Sequence, residues 1–198
     1  MRYAAAIALL LACGMAQAAQ VDWRRVATPA DRARLREWRG AWMSALRQVR
    51  GGGSAAQAGA QGLLFDPDRA LSGPIPPAGA YRCRMFKLGG REAGTPEFAM
   101  SVWGRCTVAP IEGGTGFVRE SGGQRPVGAI FADTDARAIF LGTVVIGDET
   151  RALNYGRDAS RDMAGIVERV GEARWRIVLP HPRFESTLDV IELLPPAG

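Results

Sequence analysis

The chain has 198 residues, 47% of them hydrophobic and 23% charged, with a formal net charge of +5. That profile is an ordinary globular one and suits a single domain, while three cysteines are too few for a disulfide-dense miniprotein. Nearly all the positive charge is arginine, Lys87 being the only lysine, and arginines alternate with acids, as in Arg157-Asp158 and Arg161-Asp162; an affinity built on phosphate contacts needs a concentrated basic footprint, so no nucleic acid is expected as a partner.

At the N-terminus, Arg2 precedes a short apolar run from Ala4 to Leu11, and Ala16-Gln17-Ala18 has the small-x-small pattern of a cleavage site. Residues 1–18 therefore read as a signal peptide cut after Ala18, with residues 19–198 as one domain that is periplasmic or secreted. The run falls short of the roughly 20 apolar residues of a membrane-spanning helix, and no later segment reaches that length, so no transmembrane segment is expected. In a second reading Leu10-Leu11-Ala12-Cys13 is a lipoprotein box, Cys13 is lipidated, and the protein is a membrane-anchored lipoprotein. Both readings remove Cys13 from the thiol count and leave Cys83 and Cys106 as an even pair. The two lie in strand-like segments, where a disulfide closing about 24 residues would stabilise the fold by roughly 3 kcal/mol; two buried free thiols are the alternative.

Thr28-Pro29-Ala30-Asp31 is a helix start, with an N-cap, a proline at the first helical position and an acid at the third. The helix is expected to run to about Arg50, with Leu35, Trp38, Trp42, Leu46 and Val49 as one apolar stripe and Gly51-Gly52-Gly53 as its end. Arg32, Arg36, Arg39, Arg47 and Arg50 flank the stripe, and Glu37, Ala41, Ser44 and Gln48 occupy the far face. Such a helix either covers a sheet with its arginine stems at the rim or makes peripheral contact with a membrane. Ser54 to Gly62 suits a short helix, which completes a helical part over 28–62, and a proline-rich connector follows over 66–79.

The β part spans 80–195. Strands are expected near Tyr81–Leu88, Phe98–Val108, Gly116–Arg119, Val127–Phe131, Ala138–Ile146, Gly165–Val170, Arg174–Leu179 and Leu188–Leu194. The turn signals between them are Gly89-Gly90, Gly113-Gly114, Gly122-Gly123, Asp133-Thr134-Asp135 and Gly171-Glu172-Ala173, spaced closely enough for antiparallel hairpins. Alternation from Arg174 to Leu179 places Trp175, Ile177 and Leu179 inward and the arginines outward. The expected fold is mainly β, an antiparallel barrel or strongly curved sheet of about eight strands with the N-terminal helix packed on it.

Several of these segments together resemble an uncharacterised family of exported bacterial proteins, the domain of unknown function numbered 4893. They are Trp23 with Thr28-Pro29-Ala30-Asp31-Arg32 and Trp38, Tyr81-Arg82-Cys83-Arg84 with Lys87-Leu88-Gly89, Gln124-Arg125-Pro126, Tyr155-Gly156, Arg161-Asp162, and the stretch from Arg174-Trp175-Arg176 to Glu185-Ser186. The resemblance implies export and one domain, and no activity or site residue.

Chemistry is bounded mainly by elimination. His181, between Pro180 and Pro182, is the only histidine, so a histidine-rich zinc site is excluded and no metal or other cofactor is expected. Asp66/Asp68 and Asp133/Asp135 have acid-x-acid spacing without the rest of a calcium loop, and turn formation accounts for them. No serine-hydrolase elbow and no phosphate-binding loop is present, and nothing recommends a Ser186–His181 dyad. The densest group of ligand-binding candidates is Tyr155, Arg157, Asp158, Arg161 and Asp162, joined by His181 and Glu185 if the barrel brings them to one rim. Three roles follow as expectations: a binding or accessory module in the cell envelope, for a small molecule or an envelope protein; a small hydrolase using carboxylates such as Asp158 and Glu185; or a purely structural, protein-interaction domain.

Overall fold

The computed structural model describes residues 21–196; the expected signal peptide, its cleavage point after Ala18 and Cys13 lie outside the described residues. Four helices come first, α1 (Trp23–Val26), α2 (Pro29–Arg36), α3 (Trp38–Gly51) and α4 (Ala55–Gly59), then a 3-10 turn over Gly62–Phe65. Nine strands follow: β1 (Gly79–Gly90), β2 (Phe98–Met100), β3 (Gly104–Ile111), β4 (Gly114–Arg119), β5 (Gln124–Ala132), β6 (Ala138–Ile146), β7 (Asp162–Gly171), β8 (Arg174–Pro180) and β9 (Ser186–Leu194). From β3 to β9 each strand pairs antiparallel with the next, and β9 returns to β1 from Arg82↔Leu194 to Gly90↔Ser186. This closes an antiparallel barrel of eight strands, and β2 is an extra strand on β1.

Period-two alternation sorts the apolar residues into two layers. Tyr81, Cys83, Met85, Phe117, Ile130, Phe140, Val167, Trp175, Ile177, Leu179, Ile191 and Leu193 fill the barrel as one buried cluster. Alternate residues such as Leu88, Ile139, Ile166, Val178 and Val190 point outward and meet Leu35, Trp42, Leu46, Val49 and Leu64 of the helical layer in a second cluster. The barrel is therefore a packed core over most of its length, and its helical cover gives it a second one.

The single helix expected over 28–50 is two helices. Thr28 caps α2 as its sequence indicates, accepting from the Asp31 amide, but Glu37 leaves helical geometry at φ −92° and ψ 3°. The break lets α2 follow β7 while α3 crosses β1, β8 and β9. Ala41 accordingly is buried on α3 rather than standing on a far face. Trp42 is fully buried, and its Nε1–H donates to the Phe65 carbonyl at 3.2 Å, so α3 covers the barrel and offers no Trp42 ring to a lipid surface.

Two strand boundaries also differ from expectation. Gly89-Gly90 continues β1 instead of turning, Gly90 pairing with Ser186 of β9 and the Gly89 amide donating to the Glu97 carbonyl; Gly89 has φ +73°, and a side chain there would meet the Ala45 backbone at 3.1 Å; the chain reverses over 91–97. The strand expected over Phe98–Val108 is β2 and β3 in succession, both on β1 but with registers, Phe86↔Met100 and Cys83↔Gly104, that differ by one residue. The extra residue projects Val102, 87% exposed, and Trp103 from the wall, as a β-bulge does. Cys83 and Cys106 are joined by the expected disulfide between β1 and β3, their Cα atoms 5.9 Å apart.

Arg176 corrects the reading of β8. Its neighbours Trp175, Ile177 and Leu179 face inward as expected, and Arg176 faces away from the barrel, yet it is fully buried. It belongs to a row of charges across the strands, with Arg84 opposite Glu192, Glu192 opposite Arg176 and Arg176 opposite Glu168. Arg176 makes two bonds to Glu168 Oε2, 2.9 Å from Nε and 2.6 Å from Nη2, and Arg137 reaches Glu168 Oε1 at 2.9 Å. Its remaining donors hold the overlying segment through the carbonyls of Leu64, Asp66 and Arg69.

Candidate functional site at the barrel mouth

The polar residues singled out in the sequence lie on the loop between β6 and β7 and around the β8–β9 turn. These segments meet at Arg161, Asp162 and Pro182–Phe184, around a crevice of only about 10 Å³. Tyr155 turns to the helical layer, where its hydroxyl donates to Asp31 Oδ2 at 2.5 Å and accepts from the Thr28 amide at 3.0 Å. Burial, reinforced by the Asp31 carboxylate, drives that phenol far above its usual range. Asp162 accepts from the Gly156 amide, and burial raises its pKa. Asp158 accepts from Ser160, Arg161 forms a fork with Glu149, Arg157 is exposed, and His181 stands 3.9 Å from Glu37. Tyr155, Arg161 and Asp162 thus hold a long loop in place, each in its own contact, and the candidates do not converge on a shared pocket.

Glu185 leads to a different place. Its carboxylate lies 3.1 Å from Lys87 Nζ, which also donates to Gln124 Oε1 at 3.0 Å and to Asp189 Oδ2 at 3.4 Å. Lys87 and Met85 line a cavity of about 460 Å³ together with Ala99, Met100, Ser101, Arg119, Gln124, Ile146 and the glycines of the β4–β5 and β6–β7 turns. Its position follows from topology: β4 ends at Arg119 while β1 and β9 run on to Gly90 and Ser186, so the wall is notched between β2 and the start of β5.

The electrostatics of this notch are unusual for an apolar barrel. Arg119 is 4% exposed; its Nη1 donates to the Gln124 carbonyl at 2.7 Å and its Nη2 to Ser101 Oγ at 3.1 Å, and its Nε–H has no partner among the described residues. Burial pulls the guanidinium below the usual arginine range, and the charge of Asp189 opposes that pull. Asp189 is fully buried behind Lys87, accepting from Ser186 Oγ at 2.5 Å; burial raises its pKa against the attraction of Lys87. Gly122, at φ +97°, packs so closely on Arg119 that a side chain there would meet Nη1 at 2.8 Å. An unpaired donor of this kind is costly to bury without a ligand or water to accept from it.

Arg119, Gln124 and Asp189 did not stand out in the sequence, although a signal existed. Arg119 shares the parity of Phe117, and Asp189 that of Ile191 and Leu193, so both are charges on the face of a strand that is otherwise apolar and inward. Lys87 was visible as the sole lysine and, like Gln124, within a segment that carries the family resemblance, but not as a site residue. Three of the four acids in the acid-x-acid pairs have structural partners for their carboxylates: Asp68 receives Arg39, Asp66 accepts from the Asp68 amide, and Asp133 receives both Arg24 and the Trp23 indole.

The family model described as "Domain of unknown function (DUF4893)" matches residues 23–193, nearly all of the described chain, and the protein belongs to that family. No curated protein and no solved structure matches it.

Proposed function

We propose that this member of the DUF4893 family is an exported binding module whose barrel mouth takes a small anion with a flexible apolar tail. The observation that carries this is the notch itself, where buried Arg119, whose Nε–H has no partner among the described residues, and Lys87 share a wall with the apolar Met85, Ala99, Met100 and Ile146 and the polar Ser101 and Gln124. Its volume, about 460 Å³, lies in the range of small-molecule sites, and methionines suit a pliable chain. The carboxylates do not favour a hydrolase: Asp189 is not on the cavity wall, Glu185 is spent on Lys87 and Asp158 on Ser160.

Decanoate is the probe. Calorimetric titration is expected to show binding that decanol does not match and that Arg119→Gln weakens about tenfold, the loss of one charge-assisted contact. Ala99→Phe, which fills the notch and keeps both cations, should abolish it. Equal binding of decanol and decanoate, or an unaffected Ala99→Phe variant, would rule the site out. Export accords with the Cys83–Cys106 disulfide, since such bonds persist outside the reducing cytoplasm. The intact mass of the protein from its native host tests it: a chain starting at Ala19 means simple secretion, an acylated one starting at Cys13 means a lipoprotein, and an uncut chain overturns export.

A further inference from the structure

A second cavity lies on the other side of the barrel wall, between the helical layer and the turn joining β5 to β6. It measures about 450 Å³ and is lined by Trp23, Arg24, Arg32, Leu35, Arg36, Trp38, Asp133, Arg137, Ile139 and Ile166. The floor is aliphatic: Leu35, Ile139 and Ile166 are all buried and belong to the cluster between helices and barrel. Each indole carries a guanidinium on its face, Arg24 at 4.4 Å from the Trp23 ring centre and Arg137 at 4.7 Å from that of Trp38. Four arginines line the cavity with one carboxylate, that of Asp133; behind them Glu168 pairs with Arg137 and Asp22 stands 3.5 Å from Arg24, which leaves Arg32 and Arg36 without an acidic partner among the described residues.

The arginines hold their positions without using up their donors. Arg137 commits only Nε, to Glu168, and Arg32 commits only Nη1, to the carbonyls of Arg24 and Ala27. Arg24 is fixed by Asp133, which also receives the Trp23 indole N–H at 2.8 Å and so anchors one wall. Arg36, at the exposed end of α2, has no hydrogen bond or ion pair to a side chain among the described residues. With Arg24 and Arg137 lying over the two indoles, the donors left for a ligand are those of Arg36 and the uncommitted Nε and Nη2 of Arg32, beside an aliphatic floor that suits the ring of an aromatic carboxylate.

We propose that this groove binds an aromatic carboxylate, its ring on the Leu35–Ile139–Ile166 floor between the two Trp–Arg stacks and its carboxylate held by Arg36 and Arg32. The site is separate from the barrel mouth and does not depend on it. Rigid indoles and stacked guanidiniums select a flat ligand here, whereas the methionine-lined mouth suits a flexible one.

The test is titration of the protein with 1-naphthoate, followed by the indole N–H resonances in nitrogen-15 NMR spectra. The Trp23 and Trp38 signals are expected to move together, and those of Trp103 and Trp175 to stay. Arg36→Glu, at an exposed position whose side chain makes no hydrogen bond or ion pair among the described residues, should weaken naphthoate at least fivefold, and 1-naphthalenemethanol should bind the native protein at least fivefold more weakly than naphthoate. Decanoate, added first, should leave the titration unchanged. Still Trp23 and Trp38 signals, an Arg36→Glu variant of native affinity, equal binding of the neutral alcohol, or displacement by decanoate would each overturn the proposal.

Discussion

Asp189 shows how a single strand position decides the character of the barrel mouth. It occupies an inward site in register with Lys87 on β1 and Leu179 on β8, where the neighbouring inward residues of β9 are Ile191 and Leu193. A carboxylate there is stripped of water, and burial outweighs the pull of Lys87, so its folded pKa stands above its ordinary value of 3.8. For such a group the folded state holds the proton more tightly than the unfolded chain does. Its contribution to stability is complete below the unfolded value and is lost as pH rises through the raised folded value. Asp189→Asn, which cannot ionise, should remove that decline. Urea unfolding from pH 4 to pH 8 checks it: native stability is expected to fall relative to the variant as pH rises, and parallel curves would show that Asp189 ionises without cost. Lys87, Glu185 and Arg119 are the charges that set how far the curve moves.

Among the elements, the segment from α4 to Arg69 is short and partly exposed, and its apolar anchors are Ala58, Leu64 and Phe65. The row of guanidiniums beneath also holds it. Arg176 donates to three carbonyls of the segment, Arg174 to the Gln61 carbonyl, and Arg84 to Gln61 Oε1, while Glu168 and Glu192 neutralise these cations from the barrel. Arg176→Met should therefore cost about 3–5 kcal/mol, the effect of breaking a fully buried ion pair, and hydrogen exchange should accelerate across residues 61–70 more than elsewhere. Replacing the pair together, Glu168→Leu with Arg176→Met, should recover part of the global stability but not the protection of that segment, because the carbonyls stay unpaired. Uniform protection in both variants would mean that packing of Leu64 and Phe65 alone suffices. This row also marks a limit of sequence reading. Alternation correctly turned Arg176 away from the barrel interior, but outward equals exposed only where nothing lies on top, and the helical cover is set by contacts distant in the chain. The same distance effect hid the break at Glu37, where α2 and α3 part to reach different strands, and the continuation of β1 through Gly89-Gly90 to its pairing with Ser186. The eight barrel strands, their antiparallel hairpins and the disulfide were legible because period-two patterns and turn residues are local signals, whereas the strand order that closes β9 on β1 was not. The mouth was not, since Lys87, Arg119, Gln124 and Asp189 converge from four strands and only closure of the barrel brings them together.

At the scale of the whole molecule, closure rests on β1, which carries β9 on one side and both β3 and β2 on the other. The seam between β1 and β3 is the weaker side, because the register slips there by one residue and the ladder between them is confined to Gly79–Cys83. The Cys83–Cys106 bond crosses this seam next to the slip and encloses β2 and the projecting Val102-Trp103 in its loop. Its loss should act in two ways. Releasing the loop, with a sequence separation of 23, costs about 3 kcal/mol through the freedom regained by the unfolded chain. A seam held only by a short ladder should also open before the rest of the barrel, exposing the notch that β2 and Ser101 help to form. The Cys83→Ser/Cys106→Ser variant is thus expected to unfold in urea at a lower midpoint, and its amides from Ala99 to Arg105 should exchange faster than those of β6 and β7. Affinity of the mouth for decanoate should fall with them, while the groove beneath the helices, built on the opposite wall from β5 to β7, keeps its naphthoate affinity. A variant with the native midpoint would place the strength of the seam in the β1–β9 ladder instead; one that loses both ligands together would show that the barrel opens as a unit.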